Sequence, residues 1–117
     1  MKNWDFRKFV KKVHISSFVI QMADLQQSLF IKAATGTLIG VLRLKGEIGA
    51  LAVDPGMGRL YAADGAGTVD VIDLAHVTLL ATLPTETGVH ALALDPGSHL
   101  VYVYRGHANK VDVLAPQ

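Results

Sequence analysis

The 117-residue sequence contains no cysteine, so disulfide bonds, thiolate zinc ligands and cysteine nucleophiles are all excluded. Aromatic residues make up only 7% of the chain, whereas hydrophobic residues make up 50%. Stability must therefore come from the packing of mostly aliphatic side chains. A chain of this length and composition is expected to form one domain with a sizeable core.

A long apolar run is also missing. The most apolar stretch near the N-terminus, residues 13–23, is interrupted by His14, Ser16, Ser17 and Gln21, whereas a membrane-spanning helix needs about 18 or more apolar residues. The stretch follows two lysines, as in a signal peptide, but it is short and lacks a small-residue cleavage pattern. The sequence thus indicates no export signal, and a cytoplasmic location is the default expectation.

The formal net charge is only +1, but the charges are unevenly distributed. Residues 1–44 contain seven basic and two acidic side chains, a net charge of +5. Residues 45–117 contain four basic and eight acidic side chains, a net charge of −4. The two parts of the chain therefore differ in sign, which the total conceals.

The sequence repeats itself at an interval of 41 residues. The heptapeptide ALAVDPG at residues 50–56 recurs as ALALDPG at residues 91–97. Upstream, residues 36–42 precede residues 77–83 by the same interval. Downstream, residues 69–71 correspond to residues 111–113 after one extra residue. A register held across three windows indicates a structural repeat rather than chance.

Each repeat predicts a four-stranded antiparallel meander. In the best-preserved repeat the four strands, a to d, are expected at residues 48–53, 59–63, 68–73 and 77–83. Asp-Pro-Gly and Asp-Gly-Ala-Gly separate the first three strands and favour tight turns. Strands a and b are apolar at nearly every position, so both faces of the sheet need burial. Small sheets stacked around an axis provide that burial, and a unit of about 40 to 45 residues has the size of one propeller blade.

These residues resemble the bacterial and archaeal β-propellers whose blades carry a YVTN-type signature. The resemblance covers about residues 28–114 and rests on the segments RLYAAD at 59–64, GTVDVID at 67–73, LATL at 80–83 and ALALDP at 91–96. It implies an all-β propeller fold more than an activity. Related propellers include lactonases, oxidoreductases and cofactor-bearing proteins, and the family is often exported.

The chain is expected to be a single repeat domain of about three blades, too few for a closed ring. We expect a basic amphipathic segment at 1–14, a degenerate blade at 15–44, a full blade at 45–84 and a blade lacking its last strand at 85–117. In the first segment Phe6, Phe9, Val10 and Val13 fall on one helical face. A short helix or strand there would cover the open blade; the alternative is an element for an anionic membrane or nucleic acid.

Catalytic and metal-binding patterns are not evident. The two Gly-x-Gly segments are expected to be turns, and the five histidines lack the spacing of a zinc site. No cofactor is expected. Loops b to c and d to a should meet at one rim of the propeller, where ligands bind. Binding candidates at that rim are Glu47, Asp64, Glu86, His90, Arg105 and His107.

His90 and His107 are the one pair at this rim to test for acid-base or ligand chemistry, whereas His99 belongs to the opposite a to b turns. Tyr61, Tyr102 and Tyr104, in strand b, are better explained by packing between blades than by stacking on bases or sugars.

The sequence therefore predicts a non-catalytic binding scaffold that contacts a protein partner or another copy of itself. A dimer with six blades is the favoured closed form. Two alternatives remain open: part of a propeller enzyme with lactonase-like or oxidoreductase-like activity at the axial rim, or a truncated fragment whose remaining blades lie outside this sequence.

Overall fold

The structure is a computed structural model that describes residues 12–15, 18–23, 27–85, 89–105 and 109–117. Within these residues the chain forms eleven β-strands and no helix. The strands form three antiparallel sheets that follow one another along the chain. The all-β, meander-based architecture expected from the repeat is thereby confirmed.

The second sheet is the complete meander that the repeat predicts. Its strand order is β5-β6-β7-β8, so each strand is hydrogen-bonded to its neighbours in the sequence. The predicted bounds hold to within one residue, because the turn residues at each strand end are explicit in the sequence. The strands are β5 Ile48–Asp54, β6 Arg59–Asp64, β7 Thr68–Asp73 and β8 Thr78–Pro84.

The turns of this sheet form for the reasons that their sequences suggest. After β5, the carboxylate of Asp54 accepts a hydrogen bond from the Met57 amide at 3.2 Å, and Gly58 adopts a φ of 66°. After β6, Asp64 Oδ1 accepts from the Ala66 amide at 2.9 Å, and Gly67 has a φ of 95°. Aspartate caps and glycines with positive φ therefore set the register of the meander.

The first sheet begins inside the segment expected to be helical. Its strands, in order, are β1 Lys12–Ile15, β2 Phe18–Ala23, β3 Ser28–Ala33 and β4 Leu38–Arg43. Val13 pairs with Ile20 across β1 and β2. Lys12 to His14 are therefore strand residues, because pairing with β2 satisfies their backbone groups and outweighs a helical pattern that is equally compatible with a short strand. Residues 1–11, the rest of the expected helix, lie outside the described residues.

The third sheet has three strands in the order β9-β10-β11. They are β9 Val89–Leu94, β10 Val101–Arg105 and β11 Lys110–Leu114.

The sheets stack face to face, and each sheet therefore has two distinct faces. We call the face that points to the next sheet along the chain the forward face, and the opposite face the backward face. Two apolar clusters fill the spaces between the sheets. The first joins the forward face of the first sheet to the backward face of the second and includes Ile20, Leu29, Ile31, Ile48, Leu60 and Ile72. The second joins the second and third sheets and includes Tyr61, Val69, Val71, Val101 and Val103.

Candidate functional site

One rim of the stack is formed by loops b to c and d to a, as expected. The Gly65 amide donates a hydrogen bond to the Glu47 carbonyl at 2.8 Å, and the Thr85 amide donates to the Gly67 carbonyl at 3.0 Å. Both bonds link the turn between β6 and β7 to a loop that joins two sheets. Glu47 itself is exposed at this rim. The loops that carry the candidate residues of the second sheet are thus held together by their backbones.

A buried pair of carboxyl groups lies behind this rim. Asp64 is 5% exposed and Asp70 is 3% exposed. Their side chains are hydrogen-bonded to each other, and the Thr68 hydroxyl donates to Asp70 Oδ1 at 3.1 Å. Burial, followed by the hydrogen bond that protonated Asp70 donates to Asp64, raises the pKa of Asp70 to about 6. One of the two carboxyls therefore retains its proton in mildly acidic solution, since two adjacent buried carboxylates repel each other.

The loop between the first two sheets closes over this pair. A Cβ placed on Gly46 would overlap the Asp64 carboxylate and the Ala66 amide. Only glycine therefore allows the loop to approach so closely. Asp64 is consequently a buried structural group that caps its own turn, rather than the solvent-facing ligand that its position in the sequence suggests.

The third sheet carries a different pair at the equivalent positions. Arg105, which stands 41 residues after Asp64, is 7% exposed. Its Nε lies 2.9 Å from Oδ2 of Asp112, the counterpart of Asp70. A salt bridge thus replaces the proton-sharing carboxyls, and Arg105 is engaged within its own sheet.

The remaining candidates lie wholly or partly outside the described residues. Glu86 and His107 fall outside them altogether. His90 lies in β9, but its side chain is outside the described part. The hypothesis of an acid-base pair formed by His90 and His107 therefore stays a prediction.

The opposite rim contains an inter-sheet contact that the sequence did not reveal. His99 Nδ1 lies 2.6 Å from Oδ2 of Asp54, and Asp54 is only 1% exposed. The contact joins the a to b turns of the second and third sheets, with His99 at a φ of 61°. The repeat placed both residues at this end, but a sequence contains no signal for which turn of one sheet reaches its neighbour.

A second charged group lies at the same rim. Asp73 is 2.7 Å from His76 Nδ1 and 3.5 Å from Arg59 Nη1. The hydrogen bond from His76, aided by the Ala75 amide, lowers the pKa of the Asp73 carboxyl. This group bridges the start of β6 and the end of β7, and it explains the charge at these positions without a ligand.

No other described strand covers the forward face of the third sheet. Tyr102 lies between Ala93 and Val113 in the register of the three strands. Tyr104 lies next to it, between Ala91 and Val111. The face is therefore six contiguous apolar side chains with no charge among them. The exposed fractions are 38% for Tyr102, 41% for Tyr104, 57% for Val111 and 52% for Val113.

The first sheet has the second uncovered face, on its backward side. Phe30 pairs with Val41 there, and Lys32 pairs with Leu38. Val41 is 47% exposed and Leu38 is 50% exposed. Arg43, which pairs with Ser28, lies on this face as well, so the apolar residues are accompanied by two basic groups. The face lies at the opposite end of the stack from the forward face of the third sheet.

The tyrosines show what covers a forward face when a neighbour is present. Tyr61, in the second sheet, is fully buried against the third sheet, as packing between blades predicts. Tyr102 stands at the equivalent position one repeat later and is 38% exposed. No described sheet of the same chain covers Tyr102 or Tyr104, so packing between blades stays a prediction for these two tyrosines.

In the described part of the chain, no group of three or more histidine and acidic side chains could hold a metal ion. No helix long and apolar enough to cross a membrane is found among those same residues.

Comparison with known proteins identifies the fold. No protein-family model matches the chain, and no curated protein matches it in sequence. Among solved structures, the chain is similar to Kuenenia stuttgartiensis Hydrazine Synthase, with a TM-score of 0.74 and 18% identity over 85% of this chain and 29% of that one. It is similar to the computationally designed Ika4 protein, with a TM-score of 0.77 and 20% identity over 92% of this chain and 66% of that one.

A WD40 domain is among the similar structures as well. The chain matches the Neurospora crassa Pan2 WD40 domain with a TM-score of 0.68 and 21% identity, over 91% of this chain and 32% of that one. WD40 repeats form β-propellers. The chain thus spans about a third or less of these two natural proteins and 66% of the Ika4 protein. At these identities the likeness shows the fold alone: three blades with the architecture of a β-propeller.

Proposed function

We propose that this chain is a non-catalytic β-propeller interaction scaffold that binds a protein surface through its uncovered end faces. Self-association or additional blades would complete the ring. The 41-residue repeat and its signature support blades of the YVTN type, as found in bacterial and archaeal propellers. The WD40-like architecture of the neighbours is consistent with a role in protein binding.

One observation carries this proposal: the forward face of the third sheet is apolar and exposed, whereas its counterpart is buried. Val69 and Val71 in the second sheet are fully buried. Their equivalents Val111 and Val113 are more than half exposed. Soluble proteins seldom leave contiguous apolar patches uncovered unless the patch binds something. The same side chains that hold two blades together are thus available for a partner.

A paired substitution tests the proposal. Replacing Tyr102 by Ser and Val113 by Thr removes apolar surface while keeping residues compatible with a strand. We expect the wild-type chain to show concentration-dependent association, binding of the fluorescent probe ANS, or both. The double variant is expected to lose these properties with an unchanged far-UV circular dichroism spectrum. Light scattering between about 1 and 100 µM and probe fluorescence measure the two effects.

The matched control is a double substitution of Leu79 by Ser and Leu80 by Thr. These leucines lie in the outermost strand β8 and are 48% and 47% exposed, but they belong to neither end face. The control is expected to behave like the wild type. The proposal is wrong if the Tyr102 and Val113 double variant associates and binds the probe as the wild type does.

A further inference from the structure

We infer that the forward face of the third sheet is covered by the backward face of the first sheet of a second copy of this chain. Two copies arranged head to tail would then form a closed ring of six blades. This inference rests on the proposed function and specifies its partner. It would also explain why both end faces are uncovered at once.

The type of contact is already present in the molecule. The first and second sheets meet forward face to backward face, and so do the second and third sheets. The exposed surfaces at the two ends are one forward face and one backward face. A head-to-tail contact between copies would therefore repeat a geometry that the chain uses twice, whereas a contact between two forward faces has no precedent within it.

The number of blades favours two copies. Propellers have typically about four to eight blades. One copy provides three sheets, which is below this range, and three copies would provide nine, which is above it. Two copies provide six. A dimer of this chain would therefore fall within the range of closed propellers.

Basic side chains of the first sheet are complementary to the tyrosines of the third sheet. By strand register, Lys32 and Arg43 lie on the backward face of the first sheet. Their cationic groups can approach the rings of Tyr102 and Tyr104 on the forward face of a second copy. A contact between two third sheets would lack these cation–π pairs.

The buried area distinguishes a closed ring from a single contact. Three strands spaced ~4.8 Å apart and about five residues of ~3.3 Å give roughly 240 Å² for one face. One contact then buries roughly 500 Å² over both partners, which is in the range of crystal contacts, and two contacts bury roughly 1,000 Å², the lower bound for a specific interface. Closing the ring therefore doubles the buried interface area, while the two copies lose their relative translational freedom only once.

The absence of cysteine allows a direct test with single cysteines. Val113→Cys places a thiol on the forward face of the third sheet, and Val41→Cys places one on the backward face of the first. The two full-length variants are mixed in equal amounts and treated with a short bismaleimide crosslinker. Leu80→Cys, with an exposure of 47% that equals that of Val41, is the matched control off both faces.

The expected result is a crosslinked dimer from the mixture of Val113→Cys and Val41→Cys, but from neither variant alone. The control is expected to remain uncrosslinked in every combination. Without crosslinker, the wild-type chain is expected to have twice the 12.5 kDa mass of one chain by light scattering.

Two results would overturn the inference. The first is crosslinking of Val113→Cys to itself, which would show that forward faces meet each other. The second is a wild-type chain that stays monomeric at about 100 µM. Neither result refutes the proposed function, because a monomer that loses ANS binding on substitution of Tyr102 and Val113 would still present a binding surface to another protein.

Discussion

Replacement of Asp70 by Asn should stabilise the protein above neutral pH and leave it unchanged in acid. Asp70 is 3% exposed and shares a hydrogen bond with the buried carboxyl of Asp64. Burial and this neighbour raise its pKa from 3.8 to about 6. An asparagine at position 70 has nearly the same shape, carries no charge at any pH and can donate a hydrogen bond to Asp64 permanently.

The sign and size of the effect follow from the pKa. Because the folded state holds the Asp70 proton more tightly than the unfolded state, the free energy of unfolding falls as pH rises from about 4 to 6 and stays lower above that range. A shift of about two pKa units corresponds to about 3 kcal/mol. The Asp70→Asn variant avoids this loss. We therefore expect its free energy of unfolding to exceed that of the wild type by about 2 to 3 kcal/mol at pH 7.5 and by nearly nothing at pH 4.

Urea unfolding followed by far-UV circular dichroism, at several pH values from 4 to 8, measures the difference between variant and wild type. Taking the difference cancels Asp73 and Asp95, whose lowered pKa values affect both proteins alike. The matched control is Asp112→Asn at the equivalent position of the third sheet. It leaves the buried Arg105 guanidinium without its carboxylate and should destabilise by about 1 to 3 kcal/mol.

The two substitutions should therefore act in opposite directions at pH 7.5, although they are chemically identical and stand at equivalent places in the repeat. An Asp70→Asn effect that does not vary between pH 4 and 7.5, or a loss of stability at pH 7.5, would refute the reasoning.

Three further substitutions test other contacts by the same unfolding assay. His99→Ala should lower the free energy of unfolding by about 1 to 3 kcal/mol because it removes a partner at 2.6 Å from the buried Asp54 carboxylate. His99→Asn should lower it less, because asparagine tolerates positive φ and its amide can donate a hydrogen bond. Equal losses for the two variants would contradict this. Gly40→Ala should lower the free energy of unfolding by about 1 to 3 kcal/mol because its Cβ would lie 2.8 Å from Val77. Adding Val77→Ala should recover part of that loss; if the losses of the two substitutions simply add, this explanation is wrong. Tyr61→Phe should leave the free energy of unfolding unchanged or raise it by up to about 1 kcal/mol, since the buried Tyr61 hydroxyl has no hydrogen-bond partner in the described part of the chain. A decrease above about 1 kcal/mol would show that the hydroxyl does have a hydrogen-bond partner.

The strands and their order could be predicted from the sequence because each is encoded locally. Asp54 and Gly58 mark one turn, and Asp64 and Gly67 mark the next. Between them the apolar runs have strand length, and the 41-residue interval predicts that the same meander recurs. The start of the first sheet was harder to predict from the sequence. Val13 fits a helical face in isolation, and only its pairing with Ile20 makes it part of a strand.

The candidate site was less predictable than the fold. The sequence placed Asp64 and Arg105 at one rim, since strand order fixes the end of the sheet at which each residue lies. It could not show that both are buried among partners, because the shared proton between Asp64 and Asp70 depends on distances between side chains. The contact between His99 and Asp54 likewise depends on how two turns from different repeats approach each other.

By itself, the sequence determined a repeated four-stranded unit with two apolar faces, because hydrogen bonding between neighbouring strands and turn chemistry are local. Only the tertiary structure decided which faces are covered. Tyr61 and Tyr102 are the same residue at the same point of the repeat, yet one is fully buried and the other 38% exposed. Burial is a property of what lies next to a sheet, and a sheet's neighbour is set by stacking in space rather than by the residues of the sheet itself.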